Sequence, residues 1–275
     1  MRIDERRAEM IVKMLCEGSS VRATARLVGV DPHTVLDLLV LVGGRCQRFL
    51  EAELRDLAVD ELQCDEAWQF IFCKDKTRER KGYDDSTGDS YVFTAIERHT
   101  KLLVVWHLGK RDQSNTDAFC RKLRAETAGK FLVSTDGFRP YRTAIPHYLG
   151  DRADFGVLVK TFGEAPKDER RKYSPAKITS IRKEQVWNLP DKDRICTSHC
   201  ERHNLNLRTF IRRMTRLSNG FSKKWENHEA MLALYFCHYN FCRTHGTLKT
   251  TPAVAAGLTR HRWTVREMLE KTATC

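Results

Sequence analysis

The chain has 275 residues, of which 41% are hydrophobic, and this is enough for one large domain together with a small one. Its net charge of +12 favours a polyanionic partner, most simply nucleic acid. The sequence shows no signal peptide, no apolar run of transmembrane length and no amphipathic helix with a lysine face, which argues against a membrane protein.

Three helices are predicted at the beginning of the chain. Residues 5–17 carry apolar side chains at helical spacing. Ser20 can cap a second helix over residues 21–27, and Asp31 can cap a third helix that begins at Pro32. A helix, a short helix, a turn with glycine and a further helix form the pattern of a helix-turn-helix.

We therefore predict a helix-turn-helix DNA-binding domain over residues 1–45. The exposed start of the last helix of this motif enters the major groove, which makes His33 and Thr34 candidate DNA-binding residues. A small helical bundle for dimer contacts is the alternative. Residues 46–60 have apolar positions at helical spacing and are predicted to form a linking helix.

Strands dominate the next part of the chain. Residues 62–72 are predicted as the first strand, and the charged segment 73–90 as a solvated loop. Residues 91–97 and 102–108 are rich in β-forming side chains and are joined by four polar residues, so they are predicted to form a hairpin.

Helices and strands then alternate. The predicted elements are a helix that follows Ser114 and Asn115 and runs to about Thr127, a strand over 131–135, a helix around 140–149, a strand over 154–160, an irregular excursion over 163–197, a long helix over about 199–217 and a helical tract over 222–245. The predicted order matches that of the ribonuclease H-like fold, which has three strands, a helix, a strand, a helix, a strand and a final helix.

The predicted fold class is therefore α/β, with a ribonuclease H-like mixed sheet whose two faces are covered by helices. We assign the catalytic core to residues 61–220 and a C-terminal helical segment, packed on that core, to residues 221–275.

Three acidic residues stand where this fold can bring them together. Asp65 lies in the first strand, Asp136 ends the strand 131–135, and Glu201 opens the late helix. Two carboxylates on strands and one on a helix can bind a pair of divalent cations for phosphodiester chemistry. Mg²⁺ prefers carboxylate oxygens and retains waters, so few protein ligands suffice.

Each carboxylate also has a structural explanation. Asp136 before Gly137 can form a turn, and Glu201 can be a first-turn acid favoured by the helix dipole. Asp65 is the hardest to explain in this way, because a buried strand tolerates an unpaired acid poorly. Glu66 is expected to point to the opposite face of the strand from Asp65, and so not to line the same site.

The positive charge is concentrated after Glu201. Residues 201–275 carry 13 basic and 5 acidic side chains, a net charge of +8. The basic and polar residues of the late helix are candidate DNA contacts, although a solvated basic face is the usual explanation of such a run. The candidates are Asn204, Arg208, Arg212, Arg213 and Arg216.

Two other groups of residues invite a functional interpretation. Cys196 and Cys200, with His199 and His203 beside them, resemble a zinc cluster, but structural zinc normally uses two spaced pairs, so we expect free thiols. In the C-terminal tract, Arg243 and His245 could approach a phosphate, although such residues in a packed helix are more often structural.

Several motifs resemble the insertion-sequence-one type of DDE transposase. The resemblance is strongest over residues 199–258, and the segments 73–90 and 163–197 match no motif. The motifs are Asp65-Glu66-Ala67-Trp68, Thr135-Asp136-Gly137, Cys200-Glu201-Arg202-His203-Asn204-Leu205 with Arg208-Thr209, Tyr239-Asn240-Phe241 and Thr251-Pro252-Ala253.

This resemblance implies a transposase of a bacterial mobile element, acting in the cytoplasm at the nucleoid. It implies that Asp65, Asp136 and Glu201 form a triad that holds two ions of Mg²⁺ or Mn²⁺. With these ions, the enzyme would cut the element ends and join them to target DNA. The implied partners are double-stranded DNA, as terminal inverted repeats and as target, and further copies of the chain in a dimer or larger assembly. A metal-dependent nuclease of the same fold and a catalytically silent DNA-binding repressor are the alternatives.

Overall fold

The computed structural model describes residues 3–163 and 177–274, which form a six-stranded mixed sheet surrounded by helices. The strands of this sheet are β2 (Glu61–Ile71), β3 (Gly88–Glu97), β4 (Leu103–Gly109), β6 (Phe131–Thr135), β7 (Ala153–Phe162) and β8 (Ile178–Trp187). Two further strands, β1 (Leu57–Ala58) and β5 (Thr127–Ala128), pair with each other in parallel.

The helices in the described part of the chain are α1 (Glu5–Cys16), α2 (Val21–Val28), α3 (Pro32–Glu53), α4 (Asp75–Lys81), α5 (Gln113–Glu126), α6 (Tyr141–Leu149), α7 (Ser198–Phe210), α8 (Trp225–Phe241), α9 (Pro252–Ala255) and α10 (Val265–Thr272). No single helix among the described residues has the length and apolar composition needed to cross a membrane; only the bent pair α2 and α3, taken together, meets both conditions.

The strand order is β4-β3-β2-β6-β7-β8. The three central strands β2, β6 and β7 run parallel, while β3, β4 and β8 are antiparallel to their neighbours. An antiparallel hairpin therefore extends a parallel centre, and the predicted α/β class with a mixed sheet is confirmed.

Helices lie on both faces of this sheet. Phe93 of β3 contacts Phe119 of α5, with ring centroids 5.8 Å apart, and Tyr141 of α6 packs on the same phenylalanine. On the other face, the thiol of Cys200 in α7 donates to the Gln63 carbonyl of β2. Because successive side chains of a strand point to opposite faces, each strand contributes to both layers.

The N-terminal helices begin at the predicted caps. The Ser20 hydroxyl accepts from the Ala23 amide at 3.1 Å, and the Asp31 carboxylate accepts from the His33 amide at 2.7 Å. Gly29, with φ of 71°, ends α2 in the left-handed conformation that glycine adopts without steric cost. Helices α2 and α3 meet at 110°.

The linking helix predicted over 46–60 is not a separate element. Residues up to Glu53 continue α3, and the segment that follows contains only the short strand β1 before β2 begins at Glu61. Helix α3 stays regular because its apolar side chains continue through Phe49 and Leu50 and remain buried against α8. At the closest approach of these helices, a Cβ on Gly43 would lie 2.3 Å from the Ala230 carbonyl oxygen, so glycine is required there.

Helix α8 packs on the hairpin edge of the sheet. The buried Asn240 side chain accepts from the Leu103 amide at 3.0 Å and donates to the Leu103 carbonyl at 2.9 Å. Since β4 is the last strand on that side, this amide satisfies backbone groups that no further strand pairs with.

Three predicted segments differ from the structure. The loop predicted over 73–90 contains α4 and the beginning of β3, and the excursion predicted over 163–197 contains the edge strand β8, while residues 164–176 lie outside the described residues. The helix predicted over 199–217 ends at Phe210, because Ile211 turns to an extended backbone and buries its side chain completely.

Candidate active site

Asp65 and Asp136 lie next to each other where two parallel strands separate. The pairing of β2 with β6 ends at Cys64 and Thr135, so each aspartate directly follows the last position at which these two strands pair. Asp65 faces α7, where the Asn204 amide donates to its Oδ2 at 2.8 Å. The Oδ1 of Asp136 accepts from the Phe138 amide at 2.9 Å, so this residue also forms the turn expected of Asp-Gly.

Glu66 corrects one inference from the sequence. Its side chain lies on the other face of β2, as alternation requires, but its carboxylate still reaches the site. One oxygen each of Asp65, Glu66 and Asp136 lies within 4.8 Å of the other two. Asp136 follows the end of β6 and is therefore accessible from both faces of β2, a position that the alternation rule alone does not reveal.

These three residues, which we call the carboxylate cluster, repel one another. Burial, and then the charge of Asp136, raise the pKa of Asp65 to about 6. The same two causes raise the pKa of Glu66 to about 7. Such shifts show that the site holds its negative charge at an energetic cost, which a bound cation would reduce.

One arginine partly neutralises the cluster. The Nε of Arg111 donates to Glu66 at 3.1 Å, and its Nη2 lies 3.6 Å from an oxygen of Asp136. The guanidinium also lies 4.0 Å from the centroid of the Phe138 ring, which holds it in place. One cation against three carboxylates leaves an excess of negative charge suited to a divalent ion.

Glu201 lines the same pocket as Asp65 and Asp136, a cavity of about 280 Å³. Its carboxylate is not one of the oxygens within 4.8 Å of each other in the cluster. It accepts from the Thr197 hydroxyl at 2.7 Å and forms an ion pair with Lys160 of β7. Helix α7 thus holds the third predicted carboxylate at the edge of the site.

The candidate DNA-binding residues of the late helix separate into two groups. Asn204 is buried and donates to Asp65, and Arg213 points inwards, donates to the Ser222 hydroxyl at 3.2 Å and has its pKa lowered to about 10 by burial. These two positions suit a structural role rather than a phosphate contact.

Arg212 and Arg216 are exposed, and Arg208 is half-buried with its pKa lowered by burial. Because α7 ends at Phe210, Arg212 and Arg216 lie on the segment that follows the helix and not on its face. At the other end of the chain, His33 is exposed and Thr34 half-buried in the first turn of α3.

A second group of possible metal ligands lies at the start of β2. Asp60, Glu61 and His99 could offer ligand atoms to a metal ion. However, Glu61 accepts from Arg98 at 2.5 Å and from Arg194 at 2.7 Å, and these hydrogen bonds keep its pKa low despite burial. Two guanidinium groups already compensate this charge, so the carboxylate cluster is the better metal site.

The second half of the chain is similar to a known protein family. Residues 141–242 match the model of the family described as IS1 transposase. The predicted resemblance is confirmed. The matched segment runs from α6 through α8 and contains Glu201 with its partners Lys160 and Thr197. A search of curated proteins gave no match.

The family indicates an enzyme that cuts and transfers DNA, and hence a DNA-binding protein. Sequence reasoning missed three polar residues of the site: Glu66, Arg111 and Lys160. Arg111 lies two residues after the edge strand β4, and Lys160 lies near the end of β7, so their proximity to the site becomes visible only when the strand order is known.

Proposed function

We propose that the chain is a DNA transposase that binds the ends of a mobile element, cleaves them and transfers the freed strand to target DNA. The observation that supports this proposal most strongly is the meeting of Asp65 and Asp136 where β2 and β6 separate, with Glu201 of α7 on the same pocket. Carboxylates converging from strands and a helix suit metal-assisted displacement at phosphorus.

The residues present fit Mg²⁺ or Mn²⁺, and we propose two ions. Asp65 and Asp136 would hold the metal, Glu66 can supply a further oxygen from the cluster, and Glu201 would complete the set. When bound, such ions activate the attacking oxygen and stabilise the leaving one. Burial and the charge of Asp136 raise the pKa values of Asp65 and Glu66, and a divalent cation bound between these carboxylates would lower both.

The surrounding residues orient these carboxylates. Asn204 donates to one oxygen of Asp65, and among the described residues the other oxygen accepts only from the Glu66 amide. Lys160 lies beside Glu201 and provides a positive charge close to where a DNA phosphate would enter the pocket. Arg111 forms ion pairs with both Glu66 and Asp136, and so it restrains the distance between these two carboxylates.

We further propose that the core is ribonuclease H-like and that α1 to α3 act as a helix-turn-helix. The order of strands and helices around the carboxylates supports the first proposal. The 110° angle between α2 and α3 lies in the range of helix-turn-helix motifs and supports the second. The exposed His33 and the neighbouring Thr34 would then contact base edges, and Arg208, Arg212 and Arg216 would contact the DNA backbone.

The domain organisation remains a proposal of the same kind, with a DNA-binding part over 1–45, a core over 61–220 and a helical segment over 221–275. Two element ends must be held together for transfer, so we propose a dimer or larger assembly on DNA.

The test is a strand-transfer assay with purified protein, Mg²⁺ and a labelled duplex from the DNA that flanks the gene. Asp136→Asn is the test variant, and Asp154→Asn, which removes an exposed aspartate from β7, is the matched control. We expect metal-dependent joined products with wild type and control, and none with Asp136→Asn.

Other results would point to other functions. Cleavage without joining, on any duplex, would identify a nuclease of the same fold. Specific binding with neither cleavage nor joining, in wild type and variant alike, would identify a repressor or an inactive copy.

A further inference from the structure

A second cavity lies on the side of α7 that faces away from the carboxylates. It has a volume of about 450 Å³, within the range of sites that bind small molecules, and we call it the basic pocket. Its polar lining consists mainly of cations and histidines: Lys101, His199, Arg202, His203, Arg243 and His245.

The basic pocket and the carboxylate cluster share one helix but not one face. Thr197, Glu201 and the Asp65 partner Asn204 are three to four residues apart and so lie on one side of α7. His199, Arg202 and His203 lie about half a turn away and line the basic pocket. The two sites are therefore separate.

The charge of the basic pocket is one-sided. Three permanent cations line it, and its lining in the described chain includes no carboxylate. Lys101 donates to the Arg98 carbonyl, and its Nζ lies 3.4 Å from Nε2 of His199. Arg243 is the exception among the cations, because Glu17 of the N-terminal helices pairs with it at 3.0 Å. The pocket is thus electropositive and suits an anion.

His203 supplies an independent indication of a ligand. Its ring is only 2% exposed and lines the pocket, yet neither ring nitrogen has a hydrogen-bond partner among the described residues. The ring is held against Tyr239, with centroids 4.8 Å apart. A buried N–H without an acceptor is costly, and both nitrogens are closed off from the pocket in this structure, so a small turn of the ring would be needed to bring an N–H to an anionic oxygen there.

The aromatic walls favour an organic phosphate over a bare ion. Phe210 and Tyr239 line the pocket, and the guanidinium carbon of Arg243 lies 3.5 Å from the centroid of the Phe210 ring. Tyr239 is only 4% exposed, so contact area for a sugar or a base beside the phosphate would come mainly from the half-buried Phe210.

We propose that the basic pocket binds a phosphate group carried by a nucleotide. Arg202 and Lys101 provide the charge, and His203 would become a further donor once its ring turns towards the bound phosphate. The phosphate can belong to a nucleic-acid strand or to a free nucleotide. The first of these two possibilities rests on the DNA binding proposed above.

The test measures binding in EDTA, so that catalysis plays no part. The probes are a fluorescently labelled single strand, a labelled duplex, deoxyadenosine monophosphate and inorganic phosphate, each titrated against the full chain. Arg202→Gln is the main variant, because this side chain is exposed and glutamine suits a helix. Lys101→Asn is the second, since Lys101 has φ of 59°, which asparagine tolerates.

Arg121→Gln is the matched control, an exposed arginine of α5 outside the pocket. We expect each pocket variant to weaken binding roughly tenfold, which corresponds to one lost charge-assisted hydrogen bond, while the control binds as wild type. The dependence of log affinity on log salt concentration should lose about one unit of slope for nucleic acid. Unchanged thermal midpoints would show that the variants are folded.

The outcomes distinguish the sources. Weakened binding of strand or duplex, without binding of the mononucleotide, supports the pocket as a site for a strand. If the mononucleotide binds through the pocket while no nucleic acid binds, the pocket is upheld and the transposase proposal fails. If both pocket variants bind every probe as tightly as the control, or if only inorganic phosphate responds, the proposal is overturned.

Discussion

Replacing Asp65 with asparagine should stabilise the metal-free protein at neutral pH. The change removes one charge from the carboxylate cluster and keeps the size of the side chain. The Asn204 amide can rotate so that its Oδ1, which has no partner among the described residues, accepts from the new amide. The hydrogen bond to Asp65 would then be replaced, and the principal difference would be the lost charge.

The magnitude follows from the pKa of Asp65, which rises from 3.8 to about 6 through burial and the charge of Asp136. Between these values the folded state binds more protons than the unfolded state, so stability falls as pH rises. A shift of this size costs the wild type on the order of 3 kcal/mol above pH ~6 and nothing below pH ~4. The variant lacks this cost.

The assay is urea denaturation in EDTA at several values between pH 4 and 8, for wild type, Asp65→Asn and the surface control Asp154→Asn. We expect the advantage of Asp65→Asn to be absent at the acid end and to grow to its full size above about pH 6. Adding Mg²⁺ should stabilise the wild type more than the variant, because the wild-type cluster has one more carboxylate whose negative charge the bound ion compensates. An Asp65→Asn protein that is less stable than wild type at pH 8 would refute the reasoning.

Further predictions concern catalysis and packing. Glu201→Gln should abolish strand transfer but leave the thermal midpoint within error, since that side chain is 44% exposed. Gly43→Ala should lower the free energy of unfolding in urea by about 1–3 kcal/mol, because its methyl group would overlap the Ala230 carbonyl, whereas Gly44→Ala, with no heavy atom nearer than 3.8 Å, should raise it by up to about 1 kcal/mol. Asn240→Ala should cost roughly 2–4 kcal/mol in the same experiment, because both backbone groups of Leu103 lose their partner.

The segments that sequence predicted well have strong local signals. The strand over 131–135 is apolar and buried, and it was predicted with the bounds that β6 has in the structure. The caps Ser20 and Asp31 also lie where expected, because a cap is a local interaction between a side chain and an amide two or three residues further on.

The segments that sequence missed lack such signals. Strand β8 is an edge strand whose side chains are mostly exposed, so it shows neither an apolar run nor a clear alternation. Helix α4 buries no residue at all. In both cases the segment is held by its neighbours in space, which a pattern of hydrophobicity along the chain does not record.

The candidate site shows the same limit at the level of single residues. Asp136 and Glu201 were predicted because each stands at a recognisable point of a predicted element, whereas Asp65 was preferred to Glu66 mainly through the family resemblance. Glu66 was set aside by the alternation of side chains along β2, which is correct for the strand but fails beside the end of β6. Which carboxylates meet is decided by where a neighbouring strand stops, and the sequence of one strand does not contain that information.

Helix α7 connects the two sites on which the function is proposed to depend. Its Glu201 face completes a negatively charged pocket, while its Arg202 and His203 face lines a positively charged one. Adjacent residues of one rigid helix cannot move independently, so a phosphate bound in the basic pocket would fix the position of Glu201 as well. Binding of nucleic acid in the basic pocket would therefore restrict the motion of the Glu201 backbone on the other face. Such coupling is physically possible because both sites use residues of one helix rather than of a loop.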